Sequence, residues 1–387
     1  MLGAPEAHRG SVSAGAGFVP IATEMDGVMR AGMSRISGPA EAVAVARRMM
    51  PAMRASLDDQ WDAAQQAEPS IIVSHPKALG GLHIAERLGI PAVASLPLPF
   101  LTPTTDFPIP FVARSLPRRV NRLTYQFNRF TAMAYGGMIN TFRARLGLER
   151  MSRFSDYLHT AAGERLPVLY PFSRHVVPVP RDYPPSAHVT GYWFRDGAAS
   201  SWSPPAELAD FLAQDGPVVY AGFGSMGFGR GAVRRGEVVL AAVRRAGVRA
   251  VVATGWGGLA AESADDVLVI DDVPHAWLFP RVDALVHHGG AGTTAAGLRA
   301  GKPALICPVL GDQPFWARRV HELGAGPRPL PLRRASADVL GERIRELVGT
   351  PAYAEAAQEI GSDIAEEDGT GVAVEALRRI ESRAITG

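Results

Sequence analysis

Between residues 216 and 309 the chain alternates short apolar runs with helix-like segments, and most of the apolar runs end on small or polar residues. "GPVVYAGFGSM" (216–226) leads into helix-like "GAVRRGEVVLAAVRRAG" and then "VRAVVATG"; further on come "VLVIDDVP", "ALVHH" and "PALICPV". Runs without polar alternation predict strands buried on both faces, and strands alternating with helices predict a parallel α/β sheet. In such a sheet ligands bind beyond the carboxyl ends of the strands. The Gly, Ser and His clusters of this chain fall at those ends.

The first half shows the same grammar in pieces. "PSIIVSHPKALGGLHIAERLGIPAVASL" (69–96) reads as strand, turn, helix and strand, and residues 163–193 read as short strands with proline corners. Between them a proline-dense segment, 97–117, precedes a long arginine-bearing helical stretch to about residue 147. A Ser/Pro/Ala-rich segment, 196–216, reads as a linker, so residues 1–195 and 217–387 are the expected domains. A chain of 387 residues that is 47% apolar suits two domains. It contains no run of 18 apolar residues and no signal-peptide layout, which predicts a cytoplasmic protein. Cys307 is the lone cysteine and sits in an apolar run, so disulfides and cysteine-bound metal drop away. The formal charge is +2 and no basic stripe interleaves with aromatics, so nucleic acid is not an expected partner.

In "HHGGAGTTAAGLRAG" (287–301) a strand ends at His287 and His288, a glycine turn follows, and a helix is expected from near Thr293 to Gly301. Backbone N–H groups and the positive end of a helix then converge on one point, which suits an anion such as a diphosphate. Adjacent strand residues point to opposite faces, so one imidazole at most should reach the ligand, and a two-histidine metal site is not expected. The plain alternative is a tight turn beside packing histidines. One strand onward, Asp312 and Gln313 offer acceptors and donors to vicinal sugar hydroxyls, or cap a helix. Ser225, in the "GFGS" turn, faces the same crevice.

The segment "DVPHAWLFPRVDALVHHGGAGTTAAGLRAGKPALICPVLGDQPFWARRVHELGAGP" resembles the donor-binding region of nucleotide-sugar-dependent glycosyltransferases, the group of sterol glucosyltransferases and actinobacterial natural-product glycosyltransferases. "VYAGFGSM", "ATGWGG", "SHPKALGGLHIAERLGIP" and "HVTGYWF" extend the likeness over nearly the whole chain. The resemblance implies a GT-B fold: two Rossmann-like domains facing a cleft, acceptor on 1–195 and donor on 217–387, with the last helix packing back on the first domain. It implies that His288, Gly289, Gly290, Ala291, Gly292 and Thr293 bind the donor diphosphate together with Ser225. Val273, Pro274 and His275 then meet the nucleobase, and Asp312 and Gln313 read the sugar. The co-substrate is a UDP- or TDP-sugar; the glutamate that binds ribose in related plant enzymes is Ala296 here, which leaves the nucleoside open. No Asp-x-Asp motif is present, so the implied inverting transfer uses neither metal nor cofactor.

The likeness begins at the family's second strand. A first βα unit, about 30–35 residues carrying a Gly-x-Arg-Gly-Asp loop and the usual base, has no counterpart, so the N-terminal sheet is expected to lack an interior strand and the chain to turn over weakly. His75, at a strand end, is the remaining residue to weigh as a base. "LPLPFLTPTTDFPIPF" is expected to line a pocket for a sterol, lipid or polyketide-like alcohol. Arg118, Arg119, Arg122 and Arg129 either touch a membrane surface or form a solvated face. Besides an enzyme, a sugar-nucleotide-binding protein without turnover, or more weakly an epimerase, fits the pattern. The oligomeric state is not legible.

Overall fold

A computed structural model describes residues 1–12, 15–21, 39–112, 116–152, 156, 159–160, 163–195, 202–223, 232–255 and 262–386. Ser225 and the second half of the "ATGWGG" stretch lie outside them.

The C-terminal half forms one five-stranded parallel sheet from β7 (Val218–Gly222), β8 (Arg249–Ala253), β9 (Val267–Ile270), β10 (Ala284–His287) and β11 (Ala304–Ile306), in the order β11-β10-β7-β8-β9. Its strands are apolar throughout because both faces are covered. Val218 and Tyr220 enter one core cluster while Val219 and Ala221 enter the cluster on the other side. Helices α6 (Ala232–Ala246), α7 (His275–Leu278), α8 (Ala291–Arg299), α9 (Gln313–Glu322), α10 (Ala337–Gly349), α11 (Pro351–Ala365) and α12 (Gly369–Thr386) follow or connect these strands. The chain moves outward from β7 through β8 to β9, then crosses back to place β10 on the opposite flank of β7. The carboxyl ends of β7 and β10 therefore bound the topological switch point, with His287 in register with Gly222.

In the N-terminal half β3 (Ile72–Ser74), β4 (Ala92–Ser95), β5 (Val168–Tyr170) and β6 (Ala187–Val189) make a four-stranded parallel sheet in sequence order. Among the described strands the short β1 (Leu2–Ala4) and β2 (Phe18–Pro20) pair with each other alone, and β3 stands at a sheet edge. Helix α1 (Pro39–Ala67) precedes β3, and α2 (Gly81–Leu88) ends on Gly89, whose φ of 68° closes it in the left-handed region. The arginine-bearing stretch is two helices, α3 (Arg118–Thr124) and α4 (Phe127–Arg145), broken at Tyr125–Gln126. Within the expected linker lies helix α5 (Ala206–Ala213), with Leu208 and Phe211 buried in the larger core.

The halves touch. Arg319 Nε on α9 donates to the Val176 carbonyl at 2.9 Å, and Ser173 Oγ donates to Glu367 Oε1 at 3.1 Å. Helix α12 lies on the N-terminal sheet through Ala373, Ala376, Leu377 and Ile380, packed with Val93 and Leu169. No helix among the described residues is long and apolar enough to cross a membrane.

Candidate functional site

Helix α8 begins at Ala291, two residues before the expected start, with Gly290 as its N-cap and no side chain capping it. Its first N–H groups are thus left for another acceptor at the switch point. Gly289 has φ 88°, and a Cβ there would lie 2.5 Å from Ile306 Cγ2, so only glycine carries the chain from β10 into the helix.

The two histidines separate. His287 is fully buried, and its Nδ1 accepts the Gly289 N–H at 3.1 Å. Burial, with His288 and His275 nearby, pushes its pKa down to about 3, so it stays neutral and braces the turn. The ring of His288 stands nearly perpendicular, at 86°, with centroids 6.4 Å apart, and reaches the part-exposed mouth of the crevice. Its pKa is also lowered by burial, while the Asp312 carboxylate and the Gly222 carbonyl pull it partway back. Its Nδ1 and the Thr294 hydroxyl are buried without a hydrogen-bond partner among the described residues. Thr293 is part-exposed beside them on the first turn.

Asp312 stands at the N-cap of α9, and its Oδ2 accepts the Trp316 indole N–H at 3.0 Å. Gln313 is buried, and its Oε1 already accepts the Val309 and Leu310 N–H groups at 2.7 and 3.0 Å. The expectation that Gln313 both donates and accepts toward a sugar is therefore corrected: its carbonyl shapes the β11–α9 loop, and its NH2 is what remains for a ligand. On the other side of the crevice Val273 is buried, Pro274 caps α7, and His275 stacks on Phe279 at 4.3 Å and 16°. Burial lowers the pKa of His275, opposed by Asp272 and reinforced by His288 nearby.

His75 is exposed on the loop after β3, and its Nδ1 accepts the Lys77 N–H at 3.0 Å. That contact puts the proton of the neutral ring on Nε2, which makes His75 a donor in this geometry rather than a base. The proline-dense segment is largely core: Leu98, Leu101 and Ile109 are buried, and Thr104 and Thr105 are tied to Asp182. Its Phe107 reaches Phe315 of α9, with ring centroids 6.3 Å apart, which brings this segment beside the helix that starts at Gln313. Burial raises the Cys307 thiol to about 12, so it is inert at neutral pH.

Sequence reading missed a buried cluster in the N-terminal half. Arg143, with no exposed surface, forks onto Glu86 and donates to the Glu149 carbonyl and to His83 Nδ1, the latter at 3.1 Å. Guanidinium is a permanent donor, so His83 must carry its proton on Nε2. Burial, with Arg143 next to it, lowers its pKa to about 4. His83 lines a half-open, mainly apolar cavity of about 650 Å³, mouth included, with Leu79, Leu82, Ile139, Met151 and Asp156. The one sequence hint was a histidine and a glutamate one turn apart in "GLHIAERL"; their arginine partner lies about 60 residues away.

Comparison with known proteins matches this architecture. Residues 238–377 fit the family described as the erythromycin biosynthesis protein CIII-like C-terminal domain. A sterol 3-beta-glucosyltransferase of Arabidopsis thaliana is 36% identical over 350 residues, covering 88% of this chain and 54% of that protein. A sterol 3-beta-glucosyltransferase of Neurospora crassa is 35% identical over 344 residues, covering 84% of this chain and 21% of that protein. The chain thus spans about half the length of its plant relatives and about a fifth of the fungal one. Among solved structures, a calicheamicin glycosyltransferase superposes with a TM-score of 0.67 at 17% identity, covering 98% of this chain and 90% of that one. Glycosyltransferase VinC in complex with TDP gives a TM-score of 0.61 at 21% identity, covering 95% and 88%. With parallel sheets in both halves and an uncapped glycine-turn helix at the switch point, the chain is a homologue of the sterol 3-beta-glucosyltransferases that carries an erythromycin-CIII-like C-terminal domain on a GT-B fold.

Proposed function

We propose that the chain moves a hexose from a UDP- or TDP-sugar to a hydroxyl of a hydrophobic acceptor, a sterol, lipid or polyketide-like alcohol. The observation that carries this reading is the open N-terminus of α8 at the switch point, with His288 at its mouth and Asp312 on the next loop. The acceptor hydroxyl oxygen attacks the anomeric carbon and gives up its proton to solvent water, the bond from that carbon to the phosphate oxygen breaks, and the nucleoside diphosphate leaves with the electron pair. The charge that builds on the leaving group meets the α8 N–H groups and the helix dipole, about half a unit charge, plus the imidazole N–H of His288. Asp312 and the Gln313 NH2 hold sugar hydroxyls, and Val273, Pro274 and His275 border the base. The relatives' names support a sterol-like acceptor, and the Phe107–Phe315 contact supports placing the proline-dense segment next to the sugar. The direct test is incubation with UDP-glucose or TDP-glucose and a sterol or macrolide aglycone, read by mass spectrometry. A glycosylated product supports the proposal, and hydrolysis or epimerisation of the sugar nucleotide without one overturns it.

Binding has its own test. His288→Ala is expected to weaken UDP or TDP binding roughly ten- to hundredfold, the value of one hydrogen bond to a charged group. His287→Ala orphans the Gly289 N–H instead, so it should lower stability by about 1–3 kcal/mol while changing affinity less. Calorimetry on both variants separates the roles, and equal affinity losses would refute the assignment. Because the helix end and the imidazole neutralise the diphosphate, the wild-type affinity should be unchanged by a chelator; a loss would show that a divalent ion is required.

A further inference from the structure

Helices α3 and α4 expose an apolar stripe. Val120, Leu123, Phe127, Phe130 and Met133 recur every three or four residues and stand in solvent, with Leu123 64% and Phe130 66% exposed. The opposite side of the same helices is inward: Asn121, Tyr125 and Asn128 are buried, and the two asparagines hydrogen-bond the carbonyls of Thr105 and Phe100. The orientation is thus fixed by polar anchors, and the stripe is the outward face of the two consecutive helices. Phe111, also exposed, widens it by packing edge-on against Phe127 at 6.1 Å. A contiguous apolar patch of this kind on an otherwise water-facing surface marks a place that something covers.

The charge around it says what. From Phe107 to Leu148 the chain has no Asp or Glu, while arginine occurs at 114, 118, 119, 122, 129, 143 and 145. Arg118, Arg119, Arg122 and Arg129 are exposed on the helices that carry the stripe. The side-chain contacts of Arg122 with Asp182 at 3.7 Å and of Arg129 with Asp156 at 3.9 Å are loose, with the guanidinium of each pair exposed and the carboxylate largely covered. Among the described residues Arg118 is the one of these four that is closely paired, to Asp106 at 2.8 Å. Exposed pairs of this sort are weak and yield to a stronger anionic field. Aromatic and aliphatic side chains rimmed by arginines on an amphipathic helix are what an anionic bilayer surface takes up, the rings entering the acyl boundary and the guanidiniums meeting headgroup phosphates.

We propose that the consecutive helices α3 and α4 dock this protein on the surface of anionic membranes, peripherally and without a spanning segment. This goes beyond the transfer reaction and stands without it. The test uses the full chain and sedimentation with vesicles of phosphatidylcholine alone or with about 30% phosphatidylglycerol. Wild type should partition onto the anionic vesicles at least tenfold better than onto neutral ones, and 0.5 M salt should weaken that binding. The triple variant Leu123→Ser, Phe127→Ser, Phe130→Ser should lose at least tenfold while keeping its far-UV spectrum, its melting temperature and its nucleotide affinity. The variant Arg119→Gln, Arg122→Gln should retain only the weaker, salt-independent part. No preference for anionic vesicles would overturn the proposal, as would a triple variant that binds like wild type. A triple variant that turns a dimer into a monomer, with wild-type vesicle binding absent, would assign the stripe to a second copy of the chain and overturn it equally.

Discussion

Gly289→Ala is expected to destabilise the C-terminal domain by about 2–5 kcal/mol and to remove nucleotide binding with it. Two effects add at this position. The native φ of 88° is a conformation that alanine adopts only under strain, and the new Cβ would sit 2.5 Å from Ile306 Cγ2. Ile306 is buried in β11 and cannot swing away, and the next neighbour, the Gln313 carbonyl oxygen at 3.3 Å, belongs to the backbone at the start of α9. Any relaxation therefore moves the loop that holds Asp312 or the turn that holds His288. Gly292→Ala is the control: nothing lies within 4 Å of its added Cβ, and it lies inside α8, where alanine is preferred to glycine by up to about 1 kcal/mol. Urea unfolding should show the first variant well below wild type and the second at or above it. A Gly289→Ala protein that unfolds like wild type and binds UDP normally would show that the turn is not held as described.

Why the donor side could be read from the chain is clear from these same residues. Val218 to Gly222 and Ala284 to His287 are apolar on both faces, so strand and burial coincide in the residue types, and each is followed at once by its glycine turn. The start of α8 was misplaced by two residues because its cap is Gly290, which offers no side-chain signal of the kind that Ser336 gives α10 by accepting the Val339 N–H. The role of the Gln313 carbonyl was not legible, because it depends on a loop closing back on Val309 and Leu310 rather than on any pattern. In the N-terminal half β3, α2 and β4 fall within 69–96 and β5 and β6 within 163–193, where the sequence places them, although strands of three or four residues are too short for periodicity to fix their bounds. Helix α1 was not read at all, and α5 was hidden in a stretch whose Ser and Pro content reads as a linker. The outward stripe on α3 and α4 was legible as helix but not as surface, since apolar spacing alone predicts the buried face; here the buried face carries Asn121, Tyr125 and Asn128.

Lowering the pH from about 7.5 to about 5 is expected to remove about 4 kcal/mol of stability through two buried imidazoles alone. Unfolded, His83 and His287 titrate near 6.5; folded, burial holds them at about 4 and about 3. Below 6.5 the unfolded chain takes up protons that the folded chain refuses, so stability is complete above that pH and falls as it drops toward the folded values. At about pH 5 each histidine lies roughly 1.5 units below its unfolded value, which is about 2 kcal/mol apiece. Neither ring can escape by protonating in place, since His83 Nδ1 already accepts from Arg143 and His287 Nδ1 from the Gly289 N–H. Asp182, whose carboxyl is held below its usual value of 3.8 by hydrogen bonds from Thr104 and Thr105, contributes its own loss only at lower pH, outside this window. The check is urea unfolding across the range on wild type and on His83→Asn and His287→Asn, in which the amide oxygen replaces Nδ1 as acceptor. Each variant should lose about 2 kcal/mol of the pH dependence and the double variant about 4 kcal/mol, leaving the part carried by His75, His188, His275 and His288, whose pKa values burial also lowers. A wild-type stability that is flat to pH 5, or a double variant as acid-sensitive as wild type, would mean that other groups carry the titration. Because the two histidines lie in different halves, the single variants also report whether the halves unfold together: a common transition in both places them in one cooperative unit, as the contacts of α9 and α12 with the N-terminal half require.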